Sequence, residues 1–351
     1  MFKGKFMNVL IPVLSIVLAF IIGMIIILCL GANPFQAMGY LFRGAFGTMT
    51  NLSNTVVRSM PLIFCGLCTC FAYRCVVFNL GGEGQFIFGA IAAIAVSLLV
   101  PAQGPWVAVL AILAGTIAGG FWGFIPGLLK SWRGLNEMIT TIMLNYVAIL
   151  FMGVIYTNTL REGSVPQTAA VPAASQIARI FPNFRITWGI VIAIVVGIAV
   201  WYFLFNTAKG FQLRAVGFNP TASAFNGFSV NRYRLMAFVV SGAIAGLGGS
   251  CDILGTQFRL ISGYGGGYGF DGVAIALIAQ LNPIATIIVA YFFAVLRVGS
   301  TTMQVGSGVP TSVIDIIQAL VIIFAVAGSA MMHLPTIKMF LAKLSTKKEA
   351  V

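Results

Sequence analysis

The stretch "VLIPVLSIVLAFIIGMIIILCL" at positions 9–30 runs for twenty-two residues without a charge, and "TWGIVIAIVVGIAVWYFLFN" at 187–206 for twenty. A helix of about 20 apolar residues crosses the hydrocarbon core of a bilayer. With 60% hydrophobic and 8% charged residues, against roughly a quarter charged in a soluble domain, the chain reads as an all-α polytopic membrane protein. Lys3 and Lys5 precede the first run, but its length exceeds the roughly 7–15 residues of a signal core. It is therefore expected to be a retained first helix.

Polar or Gly/Pro-rich breaks separate about ten candidate crossings, near 9–30, 60–79, 84–100, 105–129, 137–158, 187–206, 233–254, 269–281, 283–299 and 312–332. Ten crossings put both termini on one side of the membrane. The eighth is too short to cross unbroken and reads as a half-helix entered through "SGYGGGYGFDG".

With the termini inside, the inner segments hold Lys3, Lys5, Lys130, Arg133, Lys209, Arg214, Arg232, Arg234, Lys338, Lys343, Lys347 and Lys348, twelve cations. The outer segments hold six: Arg43, Arg58, Arg161, Arg179, Arg185 and Arg259. This excess follows the positive-inside bias and places the basic stretch 207–232 in the cytoplasm. It also accounts for a net charge of +13 without nucleic acid, for which no motif is present.

Two stretches share a pattern of glycine, acid, glycine and then an apolar helix: "NLGGEGQFIFGAIAA" (79–93) and "GYGFDGVAIALIAQL" (267–281). Five crossings separate them, and an odd offset inverts topology. The pattern suggests two five-helix sets, 9–158 and 187–332, related as inverted repeats with broken helices at matching places.

Glu83, Glu137, Asp252, Asp271 and Asp315 fall at or inside crossings. A charge in hydrocarbon costs about 2.5–3.5 kcal/mol even on a mild scale. The acids are therefore expected to face the bundle interior, with Arg74 and Arg297 as candidate partners. Glu83 and Asp271 suit two roles: structural acceptors for backbone amides freed at the breaks, or pathway residues for substrate hydroxyls. Asn136, Thr140 and Asn145 spiral round the fifth helix. Their amides and hydroxyl suit a neutral polyol or nucleoside, and equally suit hydrogen bonds between helices.

The glycines of "GTIAGG" (115–120) and "SGAIAGLGG" (241–249) read as close helix contacts rather than hinges. Cys29, Cys65, Cys68, Cys70, Cys75 and Cys251 lie in or beside apolar runs and read as small packing residues. Without a histidine pair, no metal site is expected. His333 is the single histidine and no HExxH occurs, so intramembrane catalysis is not expected either.

In "VGFNPTASAFNG", Asn219 suits an N-cap, Pro220 the first helical position and Gly227 a terminator. The helix between them carries small residues around Phe225, a form suited to docking into a groove of another protein.

"GFQLRAVGFNPTASAFNGFSVNRYRLMAFVVSGAIAGLGG" resembles the segment that ends in the coupling helix of the integral-membrane permeases of ATP-binding-cassette importers, in the branch for simple sugars, nucleosides and branched-chain amino acids. "NLGGEGQFIFGAIAA", "GLNEMITTIMLNYVA" (134–148) and "GYGFDGVAIALIAQLNP" (267–283) resemble further blocks, together running from about 60 to 300 and most similar to the nucleoside and simple-sugar subgroup. The chain departs from the family pattern at Gly81-Gly82-Glu83 and at Ser223 and Phe225.

The resemblance implies a non-enzymatic permease subunit of the bacterial inner membrane, forming the path for a nucleoside or simple sugar. It implies a separate ATPase subunit, a second permease copy or sister chain, and an extracytoplasmic substrate-binding lipoprotein, with lipid around the bundle. No cofactor or catalytic residue is implied, ATP being held by the partner. The sequence contains no G-x-x-x-x-G-K-[ST] phosphate loop. By position, the ATPase-coupling surface is Gly217, Asn219, Pro220, Ala222, Ala224 and Gly227. The alternative is an ion-coupled secondary transporter using its intramembrane carboxylates.

Overall fold

A computed structural model of the chain describes the backbone of residues 2–101 and 104–331, and the side chains of 14–101 and 104–328. His333, Lys338, Lys343, Lys347 and Lys348 lie outside the described residues, as do the side chains of Lys3 and Lys5. The described residues are mostly helical: α1 (Phe2–Cys29), α2 (Pro34–Phe46), α3 (Met49–Tyr73), α4 (Gly82–Leu99), α5 (Pro105–Arg133), α6 (Glu137–Val154), α7 (Trp188–Asn206), α8 (Ala208–Phe218), α9 (Pro220–Phe225), α10 (Val230–Asp252), α11 (Tyr268–Ile278), α12 (Pro283–Ser307) and α13 (Ser312–Met331). Among the described residues, extended structure is limited to isolated bridges.

Seven helices are long and apolar enough to cross a membrane, and an eighth span is the pair α1 and α2, bent by 118°. Two shorter apolar helices, α11 and α13, make up the rest. Each of the ten apolar runs thus has its helix. Elements that hydropathy does not reveal are α2, α8 and the first turns of α3. The stretch "MTNLSNTVVRS" is polar, but Thr48 caps it and the Thr55 and Ser59 hydroxyls donate to carbonyls of their own helix. Arg58 consequently sits inside α3, not in an outer loop.

Contacts divide the chain into two units, one built up to Gly47 and from Leu296 onward, the other Thr48–Val295. In the first, α1 packs along α13, with Gly23 against the Ile317 side chain. There α2 lies against the end of α12, where Gly299 meets the Leu41 backbone. Asp315, expected to face inward, is exposed in the first turn of α13. A carboxylate is favourable at that end of a helix dipole.

In the second unit α4, α5 and α10 are packed along glycine faces. A Cβ on Gly119 would lie 2.5 Å from the Gly242 carbonyl oxygen, and one on Gly246 2.5 Å from that of Gly115. Real Cβ contacts never come so close, so these backbones touch because side chains are missing. This is the contact expected of both glycine sets. The helix α3 lies against α10 and α11, while α6 and α7 leave most of their surface exposed. All cysteines but Cys29 are buried and unbridged.

Candidate functional site

Depth in the second unit can be read along α3. Met60 lies beside Gly189 at the start of α7, and the Arg74 carbonyl beside Gly217 of α8. Fourteen residues of helix rise about 21 Å, with Cys65 and Cys68 midway.

At that middle depth the first turns of α4 and α11 meet. A Cβ on Gly82 would lie 3.6 Å from the Gly269 Cα and 3.7 Å from the Cys68 sulfur, and one on Gly269 would lie 2.1 Å from the Glu83 nitrogen. The two glycine-acid-glycine stretches therefore touch each other. The first N–H groups of a helix lack partners in their own helix, and inside a bundle they need acceptors.

Three side chains supply acceptors. The Glu83 carboxylate accepts from Gly267 N at 3.0 Å and Gly269 N at 2.6 Å. Asn145, reaching from α6, accepts from Gly84 N at 2.8 Å and donates to the Leu80 carbonyl at 2.9 Å. Asn79 accepts from Gly81 N at 2.9 Å, donates to Ser241 Oγ at 2.9 Å and exchanges amide bonds with Gln85. Glu83, Asn79, Gln85 and Asn145 are all buried.

The residues singled out from the sequence fare differently here. Glu83 is spent on the α11 backbone, and Asp271 is half-buried in the first turn of that helix. Asn136, Thr140 and Asn145 are not brought together. Asn136 is exposed and caps its own helix, Thr140 donates to the Asn136 and Glu137 carbonyls, and Asn145 is buried at the break. Glu137 pairs with Lys130 at 2.6 Å. Asn79, Gln85 and Ser241 escaped the sequence reading. Arg58, expected in an outer loop, instead donates from Nη1 to the Tyr268 hydroxyl at 3.0 Å. A polar amide inside an apolar run is the signal that could have found the first two.

Arg74 was expected to pair with an acid. Instead Nε donates to the Leu281 carbonyl at 2.8 Å and Nη2 to that of Gln280 at 3.4 Å. These carbonyls follow the C-terminal end of α11, where a cation is favoured. Gln280 and Leu281 both have left-handed φ, 53° and 56°, a conformation costing a non-glycine residue about 1–2 kcal/mol. Desolvation lowers the Arg74 basicity from its ordinary value, but a guanidinium stays protonated in proteins. The Arg74 and Arg214 guanidiniums lie 5.2 and 4.9 Å from the centre of one ring, Phe205.

At the same end, α9 forms as the sequence predicts. The Asn219 side chain accepts from Ala222 N at 2.9 Å, Pro220 opens the helix, and Gly227 has φ +81° with its N–H on the Ala224 carbonyl. Asn219, Ala222, Ala224 and Gly227 are exposed, and Phe225 is 88% and Phe218 83% exposed. Gly217 differs from the rest of the expected surface. Its absent Cβ would lie 2.4 Å from the Arg74 carbonyl oxygen, so it faces inward and brings α8 against the end of α3. A groove of about 440 Å³ runs between α8 and α9, lined by Phe211, Arg214, Phe218, Asn219, Ala222 and Phe228.

Residues 51–326 match the family described as branched-chain amino acid transport system, permease component. The chain belongs to this permease family. The guanosine ABC transporter permease of Bacillus subtilis is 34% identical over 329 residues, covering 92% of this chain and 94% of its own. The nucleoside ABC transporter permease of Lactococcus lactis is 32% identical over 99% of both chains, and the glucose ABC transporter permease of Haloferax volcanii 32% identical over 90% of this chain and 87% of its own. No solved structure matches at a significant level. The permease is a multi-pass membrane protein and a transport subunit rather than an enzyme. Its family supports that reading and not the ion-coupled carrier.

Proposed function

We propose that the permease forms the path by which an ATP-binding-cassette importer takes up a nucleoside, or failing that a simple sugar, across the bacterial cytoplasmic membrane. Both termini and the α8–α9 end lie in the cytoplasm. A separate ATPase subunit grips α9 through Asn219, Pro220, Ala222, Ala224 and Gly227. A second permease, identical or sister, completes the path, and an extracytoplasmic lipoprotein delivers the substrate. The observation that carries this is α9 itself. It is a six-residue helix capped by its own neighbours, yet it presents an 88%-exposed Phe225, and an exposed aromatic on a small-residue helix fits a partner's groove. Nucleosides come first because two of the three relatives above are named for them.

In the path, Glu83 and Asn145 act as staples that hold the half-helices. Neither is placed against the substrate. Asp271, half-buried beside the junction, is the acid assigned to face it, with Asn136 and Thr140 nearer the cytoplasmic mouth.

Reconstitution of the permease with its ATPase and binding protein into liposomes, tested with radiolabelled guanosine, uridine, ribose and glucose, examines the proposal. ATP-dependent uptake of one of the nucleosides is the expected result. Uptake driven by a proton gradient without ATPase, or ATP-dependent uptake of none of the four, would overturn it.

A further inference from the structure

Four contacts converge on one residue, Arg74, at the cytoplasmic end: one on its backbone and three on its side chain. Arg74 follows the last turn of α3, and its own carbonyl is the surface against which Gly217 of α8 is pressed. Its guanidinium shares the Phe205 ring, at the end of α7, with Arg214 of α8. The same guanidinium holds the Gln280 and Leu281 carbonyls, where the chain leaves α11 in a left-handed conformation. The far end of α11 is the half-helix start bound by Glu83 at mid-depth.

We propose that Arg74 is the positioning residue that carries movement of α8 and α9 to the half-helix α11, and so to the middle of the path. This rests on the reading of α9 as the ATPase-facing element. The physical argument is one of stiffness. A helix of eleven residues moves as a rod, and Tyr268–Ile278 is such a rod. The guanidinium is planar, with donors in a fixed fork. A shift of the α8 backbone at Gly217 or of Arg214 displaces Arg74, and the fork passes the displacement to the two carbonyls. Gly217 meets Arg74 backbone to backbone, and the side chain between that backbone and the two carbonyls is held at its tip by the Phe205 ring and both hydrogen bonds. The two left-handed residues are tied to the last turn of α11 by their own amides, Gln280 N to the Leu277 carbonyl at 3.0 Å and Leu281 N to the Ala276 carbonyl at 2.9 Å, so a pull on their carbonyls is passed to the helix. Arg74 thus touches both the driving and the driven helix without being placed against substrate.

The test uses the permease assembled with its ATPase in liposomes. A Cys29→Ser background removes the exposed native thiol, and Phe270→Cys places a maleimide target in the first turn of α11, where Phe270 is 49% exposed. Coupled sites typically change one another's equilibrium about fivefold or more, and trapping the ATPase with ATP and vanadate is expected to change the labelling rate by that order. Arg74→Ala is expected to reduce the change to less than about twofold, with ATPase recovery and basal hydrolysis unaltered. Arg74→Lys restores part of it, and Phe205→Leu reproduces the loss.

A merely structural Arg74 would lower recovery and hydrolysis together and leave the nucleotide response of the surviving complexes intact. That outcome overturns the proposal, as does a full response in Arg74→Ala or no response at position 270 in the parent. If Arg74→Ala does not assemble, Phe205→Leu decides by the same criterion. A parent chain that recovers no ATPase overturns the coupling reading itself, which is a distinct failure.

Discussion

The junction of α4 with α11 and the exposed helix α9 each join a capped helix start to a glycine, but they are built in opposite ways. At the junction the amides of Gly84, Gly267 and Gly269 end on side chains from elsewhere in the fold, and Gly269 has no space for a methyl group. At α9 the cap is Asn219, three residues from the amide it serves, and a Cβ on Gly227 would meet nothing within 4 Å. The first site can change only by moving its neighbours. The second is complete in itself and its outer face is exposed. If α9 is the element an ATPase grips, as proposed, the two sites divide the work: one is packed on every side and the other presents an exposed face.

The contrast breaks first at Glu83. Its carboxylate carries two hydrogen bonds, one to the buried Gly269 amide and one to the part-buried Gly267 amide, each worth about 1.5–3 kcal/mol when one partner is charged. Glu83→Ala is therefore expected to cost about 3–6 kcal/mol, seen as a large fall in melting temperature in detergent. Glu83→Gln, which keeps one acceptor, should lose about half as much. A Glu83→Ala protein that melts like the parent would show that the junction does not hold the bundle. Next in size is Gly269→Ala. Its methyl group would press on the Glu83 backbone, and overpacking of this kind costs about 1–3 kcal/mol. Gly227→Ala offers the control at the handle, where the only penalty is that of a left-handed alanine, about 1–2 kcal/mol.

How much of this could be read from the chain follows the range of the interaction involved. The ten apolar runs became ten helices because burial in lipid depends on composition alone. The form of α9 was legible because Asn219, Pro220 and Gly227 act within a few residues of one another. The short helices α2 and α8 were not, since they are too short and mixed to stand out by hydropathy, although Asn33 and Thr207 cap them in ordinary fashion. The partners of Glu83 lie 184 and 186 residues away, and the Leu80 carbonyl that Asn145 meets is 65 residues away. The sequence shows that such groups need partners but not which helix will bring them. Arg74 is the clearest case. Charge alone pairs it with a buried acid, whereas the fold sets it at the end of α11, where two carbonyls offer the better fit to a guanidinium fork.

The smallest effect on stability is expected where the effect on function is largest. Phe225 is 88% exposed on α9, and substitutions of such side chains usually stay within about 0.5 kcal/mol. Phe225→Ser should therefore melt with the parent. In a docked complex the same ring would be an aromatic anchor in a pocket, the kind of contact whose loss costs about 2 kcal/mol or more of binding, roughly a thirtyfold weaker grip on the ATPase. The two measurements, melting temperature and ATPase co-purification, must then part company. Parallel loss of both would place Phe225 in the fold after all, against its exposure. Loss of neither would mean that α9 is gripped by its backbone and small residues, with Asn219 and Gly227 carrying the contact and the ring lying outside it.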